Sequence, residues 1–197
     1  MIGRILAGCF LLFALGHAIA QVGQVPGWPP IQNISAAGVT CGVVYSTSLS
    51  GDSGPEANNA FRSVSSPTTG GTGCGHVTVE FVASAAGGAM TVTKATICIQ
   101  GVASACTATP TSLLVSGSSS FSVAQGTTQT SDSTAFTFTT GQTLLVSLDF
   151  GSPANARTNG SGSFYFCVSC SIAAQASPSG MTVSSGQVGY DKITAAP

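Results

Sequence analysis

His76-Val77-Thr78-Val79-Glu80-Phe81 is the stretch that decides the class of fold, because its apolar and polar residues alternate with a period of two. On a strand, Val77, Val79 and Phe81 share one face and His76, Thr78 and Glu80 the other. This is the pattern of a strand with one face in a core and one in water. The same alternation recurs on both sides. Residues 143–150 place Leu144, Val146, Leu148 and Phe150 inward, and 134–140 alternate Phe136 and Phe138 with threonines. Further strands are predicted at 39–47, 90–100, 112–116, 120–124, 163–169 and 187–193, each ending at a cluster of Gly, Pro, Ser or Asn. No segment carries a helical period. About nine or ten short strands separated by turns describe an all-β chain, a single antiparallel β-sandwich of jelly-roll-like form, expected over residues 36–197.

The echo between Val77-Thr78-Val79-Glu80-Phe81 and Val146-Ser147-Leu148-Asp149-Phe150 is a shared solution to one strand problem. Nothing around it repeats, so a solenoid or propeller is not expected.

The N-terminus reads as an export signal. Met1 and Arg4 precede an apolar run from Ile5 to Ile19, and Ala18-Ile19-Ala20 supplies the small residues of a cleavage site before Gln21. The run is shorter than the roughly 20 residues that span a bilayer. Leu6-Ala7-Gly8-Cys9 matches a lipoprotein signal, but only Met1 to Ile5 precede it, too little for an apolar core. Residues 1–20 are therefore expected to be a signal peptide, and 21–35, with Pro26, Gly27, Trp28, Pro29 and Pro30, an extended leader. Secretion, or export to a periplasm, is the expected localisation.

Beyond residue 20 the basic side chains are Arg62, Lys94, Arg157 and Lys192, against Asp52, Glu56, Glu80, Asp132, Asp149 and Asp191. Such a chain lacks a phosphate-neutralising patch, which argues against nucleic acid as a partner. No amphipathic helix offers itself to a membrane, so none is expected to hold the chain once the signal is cleaved.

With Cys9 removed, six cysteines remain, an even number that predicts three disulfides in an oxidising compartment. Fifteen pairings are open to Cys41, Cys74, Cys98, Cys106, Cys167 and Cys170. Spacing favours Cys98–Cys106 and Cys167–Cys170, which leaves Cys41–Cys74. Residues three apart on a straight strand face opposite sides, so the Cys167–Cys170 pair requires a turn at Val168-Ser169.

Motifs that carry chemistry are sparse. Gly51-Asp52-Ser53-Gly54-Pro55 matches the nucleophile segment of trypsin-like proteases and the Gly-Asp-Ser block of SGNH (GDSL) esterases, but both need a histidine base within reach. The one histidine past the signal is His76, in the wrong order for the first and not in the C-terminal Asp-x-x-His of the second. A Gly- and Ser-rich turn is the expectation for Ser53, and a solvated strand position that for His76. Glu80 and Asp149 hold corresponding outward positions and would form a glycosidase-like pair only on neighbouring strands. Asn58-Asn59 and 155–159 offer oxygens to calcium without the spacing of a known loop. Cys167-x-x-Cys170 has no second pair to complete a zinc site. No catalytic residue, metal or cofactor is expected. Asn33-Ile34-Ser35 and Asn159-Gly160-Ser161 match the glycosylation sequon.

Sugar-binding sandwiches hold a ring against an exposed aromatic, and the aromatics outside obvious core patterns are Trp28, Tyr45, Phe61, Tyr165 and Tyr190. Tyr165 stands out, since Phe164 and Phe166 take the inward face and leave it outward. Tyr165, Tyr45 and Tyr190 are the candidate ligand contacts.

Asn59-Ala60-Phe61-Arg62, His76 to Phe81, Ser119-Ser120-Phe121-Ser122-Val123, Thr130-Ser131-Asp132 and Leu144-Leu145-Val146-Ser147-Leu148-Asp149-Phe150 occur in an order that resembles the accessory β-sandwich of some bacterial SGNH hydrolases. The resemblance covers roughly residues 59–170 and its motifs are strand patterns that other sandwiches share; the six cysteines depart from it. It implies a jelly-roll-like module for carbohydrate and carries over no catalysis, since the hydrolase domain is missing. The expected function is a secreted, non-catalytic binding module for a carbohydrate or cell-surface polymer. The alternative is an extracellular structural or assembly subunit of a surface layer, appendage or virion decoration, which self-associates; a third reading, a small hydrolase using Ser53, requires a base.

Overall fold

A computed structural model of the chain describes residues 41–66, 68 and 71–197. The expected signal peptide (1–20) and leader (21–35), with Cys9, Trp28 and the Asn33 sequon, lie outside the described residues. Thirteen strands are found among those that are described: β1 (Gly42–Ser46), β2 (Gly51–Asp52), β3 (Ala60–Ser65), β4 (His76–Val82), β5 (Met90–Ile99), β6 (Thr111–Leu113), β7 (Phe121–Val123), β8 (Thr128–Thr130), β9 (Thr134–Ala135), β10 (Leu144–Ala154), β11 (Arg157–Cys167), β12 (Thr182–Val188) and β13 (Tyr190–Ala196). Every pairing is antiparallel. The smaller sheet runs β1-β13-β4-β8, with β9 also on β4; the larger runs β12-β11-β3-β10-β5-β6, with β2 on β11 and β7 on β5.

The chain is an all-β sandwich because both sheets turn their alternating apolar residues into one core. Val77, Val79 and Phe81 of β4 are fully buried, as are Ile193 of β13 and Leu144, Val146 and Leu148 of β10. Phe81 meets Phe121 at 4.8 Å between ring centroids, and Phe61 meets Phe150 at 5.4 Å. Removing each such side chain from water stabilises the fold by about 1.5–3 kcal/mol. The path crosses between the sheets at β1 to β2, β3 to β4, β4 to β5, β7 to β8, β9 to β10 and β12 to β13. The last crossing divides what reads in sequence as one strand, 187–193. Gly189 has φ +81°, which splits the run into β12 and β13, and a Cβ there would press on Leu148 and Met90. Residues 134–140 form a strand only at β9. Phe138 beyond it is still buried and Phe136 packs against the same core.

Three disulfides join the expected partners: Cys41–Cys74, Cys98–Cys106 and Cys167–Cys170. Cys41–Cys74 links residues 33 apart, a loop whose closure costs the unfolded chain about 3–4 kcal/mol of entropy in the simplest model. The turn that the Cys167–Cys170 spacing demands is supplied by Ser169, whose φ is +54°.

The larger sheet departs from the half-wet pattern. From Leu144 to Gly151 every residue of β10 is buried, including Leu145, Ser147 and Asp149, which point away from the main core. They are covered by two segments that fold back over the outer face, the loop between Cys98 and Cys106 and the residues after Cys170. Cys98, Cys106 and Leu145 make a small second core with Val64 and Ala176. Beside it lies a polar lock. Arg62 of β3 is 0% exposed, and its guanidinium donates to Ser147 Oγ (2.7 Å) and to the carbonyls of Ser104 (2.6 Å), Ile172 (3.1 Å) and Gln175 (2.7 Å). Asp149 accepts from Ser171 Oγ (2.5 Å) and from the backbone N–H groups of Ile172 (2.8 Å) and Ala173 (3.0 Å). Thr96 Oγ1 donates to the Ala173 carbonyl at 2.6 Å. Burial pulls the Arg62 pKa down to about 10, opposed by the charge of Asp149, so the group stays protonated at neutral pH. Replacing it removes the donors of three carbonyls at once, that of Ile172 buried and those of Ser104 and Gln175 partly so. The variant Arg62→Met, which keeps the apolar stem, is expected to lose about 3 kcal/mol of stability, read as a lower denaturant midpoint with an unchanged slope. A midpoint equal to the parent's would show that the lock contributes nothing.

Candidate functional site

Tyr165 owes its position to its neighbours on β11. Phe164 and Phe166 lean onto Phe61 at 5.5 and 6.2 Å between centroids and pack against the main core, so Tyr165 is set on the other side of the strand. Its partners in register are Val183 on β12 and Arg62 on β3, and the row continues through Ser147 of β10 to Thr96 of β5. Arg62, Ser147 and Thr96 are sealed beneath the covering loops, whereas Tyr165 is half-buried and Val183 is 63% exposed. The outer face of the larger sheet therefore has a closed part over β3, β10 and β5 and an open part over β11 and β12. On the open part, the adjacent row is Ser163 opposite Ser185, which sets two hydroxyls beside the tyrosine ring. Val168, in the turn closed by Cys167–Cys170, is 67% exposed.

The other two tyrosines stand elsewhere. Tyr190, the first residue of β13, is completely buried, with its hydroxyl bonded to Ser65 Oγ (2.5 Å) and to the Ser63 carbonyl (3.3 Å). Burial raises its pKa, and no face of it meets solvent, so it is a core residue rather than a contact for a ligand. Tyr45 lies on β1, 6.4 Å from Tyr190 between centroids, and its hydroxyl bonds the Gln187 side chain. It is half-buried and packs against the core, so its ring is largely committed to its own fold. The three candidates do not converge on one surface.

The catalytic readings find no assembled set. Ser53 Oγ accepts from the Ala156 N–H at 3.1 Å, and Asp52 pairs with Arg157 at 3.6 Å while accepting from the Ala85 N–H. The Gly51–Pro55 segment thus fastens an edge strand. His76 Nδ1 lies 3.1 Å from the Pro197 carbonyl, not near Ser53. Glu80 and Asp149 belong to different sheets and point from opposite outer faces, so no sugar bond fits between them. Glu80 binds Lys192 at 3.0 Å, and Asp149 is consumed by the loop. The amides of Asn59 and Asn159 bond to Glu56 Oε2 and Thr47 Oγ1. Among the described residues no three His, Cys, Asp or Glu side chains gather as a metal site, and no helix is long and apolar enough to cross a membrane.

One charged cluster was not foreseen. Asp191 occupies a bulge in β13: Tyr190 opposes Phe81 and Lys192 opposes Glu80, which leaves Asp191 unpaired in the ladder. A bulge has no signature in Tyr-Asp-Lys-Ile, so nothing in the sequence announces it. The Asp191 pKa is raised, first by burial and then by the adjacent Glu80 carboxylate, with Lys192 opposing, and its buried Oδ1 has no hydrogen bond. A carboxyl whose pKa is higher folded than unfolded favours folding in its protonated form. Stability from this group is therefore full below the unfolded pKa and is lost as pH rises through the folded one. Asp191→Asn is accordingly expected to unfold at a higher temperature than the parent at pH 7, with the gap closing towards pH 3. A gap that is constant with pH, or reversed, would contradict that assignment. No protein-family model matches the chain, and no curated protein matches its sequence.

Proposed function

We propose that this chain is a non-catalytic binding module that works outside the cytoplasm on a carbohydrate or cell-surface polymer, with Tyr165 as its contact ring. The observation that carries the reading is the open part of the larger sheet: a half-exposed tyrosine between Val183 and the Ser163–Ser185 row, on strands anchored to the core from behind. An aromatic face receives the C–H surface of a sugar ring, and flanking hydroxyls exchange hydrogen bonds with its hydroxyls. Because β11 is packed from behind by Phe164 and Phe166, the platform loses little freedom on binding. The resemblance to the accessory sandwich of SGNH hydrolases supports the same reading. Three disulfides are those of a chain that resides in an oxidising compartment, which agrees with a place of action outside the cytoplasm.

Charge narrows the ligand. Arg62 and Asp149, which lie on this face, are covered, and Tyr165, Val183, Ser163 and Ser185 are neutral. The reading is of an uncharged glycan, bound with little dependence on salt. The alternative, a structural or assembly subunit, is favoured by one separate feature, the free edge of β12.

A screen of neutral and acidic insoluble polysaccharides tests the proposal. The oxidised protein is expected to be retained saturably by a neutral polymer, alike at low and high salt, and Tyr165→Ala to bind about tenfold more weakly or worse. Retention by none of them, or equal retention of parent and variant with intact folding, would overturn it.

A further inference from the structure

Edge strands expose a row of unpaired N–H and C=O groups, and proteins blunt them with charges, prolines, bulges or shortness. Most edges here are blunted. β1 carries a bulge between Val43 and Tyr45. β6, β7 and β8 are three residues each, and β2 is two residues with Asp52 in an ion pair. β12 is the exception. Among the described residues it ends the larger sheet and pairs with β11 alone, and its first four residues, Thr182-Val183-Ser184-Ser185, are without charge, proline or bulge. Three of these four are exposed, Val183 most tellingly at 63%, while Gly186–Val188 are buried.

We propose that β12 pairs edge to edge with β12 of a second copy of this chain, continuing the larger sheet across a twofold axis at Val183. Three observations choose this occupant. An antiparallel edge is its own complement, since a twofold axis normal to the sheet presents the same donors and acceptors to themselves. An isologous contact also brings each residue close to its own copy, so a charged edge repels itself; this edge is neutral. Finally, cross-strand partners share a face, which restricts the register to residues of like orientation. The register that opposes Val183 to Val183 covers the apolar side chain left bare in the monomer and puts Thr182 opposite Ser184.

Val183 opposes Tyr165 within each subunit, so the joined sheet carries one row of Tyr165, Val183, Val183 and Tyr165. The two tyrosines stand three strand spacings apart, about 14 Å. If Tyr165 is the contact ring proposed above, the pair engages one polymer twice, and the gain is one of effective concentration rather than of new contacts. The dimer itself does not depend on that reading. Four residues per edge make an interface well below the roughly 1,200 Å² of a stable complex, so the association is weak.

Sedimentation equilibrium of the oxidised protein from about 10 µM to about 1 mM, a range spanning weak dimers, tests the proposal. The parent is expected to move from monomer to dimer. Val183→Lys, which faces two ammonium groups across the axis, is expected to remain monomeric with unchanged thermal unfolding. Val43→Lys, at an exposed valine on the bulged edge, is expected to associate as the parent does. A parent that is monomeric throughout leaves the edge to a strand of some other protein and overturns the proposal, as does a Val183→Lys chain that dimerises like the parent. Polysaccharide retention is read separately, so a monomer that still binds glycan through Tyr165 refutes this dimer and leaves the binding reading standing.

Discussion

Burying Arg62 and Asp149 on the outside of a sheet is the constraint from which the rest of the molecule follows. A guanidinium and a carboxylate taken out of water cost several kcal/mol each unless their donors and acceptors are met. They are met here by backbone: three carbonyls for Arg62 and two N–H groups for Asp149, all but one from Ile172, Ala173 and Gln175. The two charges thus define where the loop after Cys170 lies. That loop in turn makes a third layer over β10 and divides the outer face into a sealed part and an open part. The open part is where Tyr165 and Val183 stand.

This arrangement also explains which features were legible beforehand. The class of fold was, because β4 and the inward residues of β10 alternate as a half-buried strand must, and Val77, Val79, Phe81, Leu144, Val146 and Leu148 are all in the core. The disulfide pairing was legible from spacing. β3 was not, because Ala60-Phe61-Arg62-Ser63-Val64-Ser65 is buried almost throughout while carrying an arginine and two serines. Binary pattern treats such polar residues as facing water. Their actual partners, backbone carbonyls and N–H groups together with the Ser147 and Tyr190 hydroxyls, lie more than forty residues away, and no local period encodes those. The covering loop was hidden for the same reason, since Ser169 to Ala176 is too polar and too short to read as a layer.

Tyr165 shows how the orientation of a side chain and its surroundings differ in legibility. Its orientation followed from Phe164 and Phe166, whose inward packing leaves it one side of the strand. Its surroundings did not. Val183, its cross-strand neighbour, lies on a strand the alternation missed, and Arg62 beside it is hidden by a loop. Tyr190 falls inside 187–193, which reads as one strand without an obvious core pattern, whereas Gly189 turns the chain so sharply that Tyr190 begins the next strand inside the core. Its hydroxyl is tolerated there because Ser63 and Ser65 of β3 accept and donate to it.

The Arg62–Asp149 lock makes the loop after Cys170 a layer of the folded core rather than a surface connection, and native-state amide hydrogen exchange measures that directly. The N–H groups of Ile172 and Ala173, both bonded to Asp149, are predicted to exchange as slowly as those of Val146 and Leu148 in β10, through the same global unfolding. Exchange of Ile172 and Ala173 at the rate of an open loop, with β10 still protected, would contradict the account.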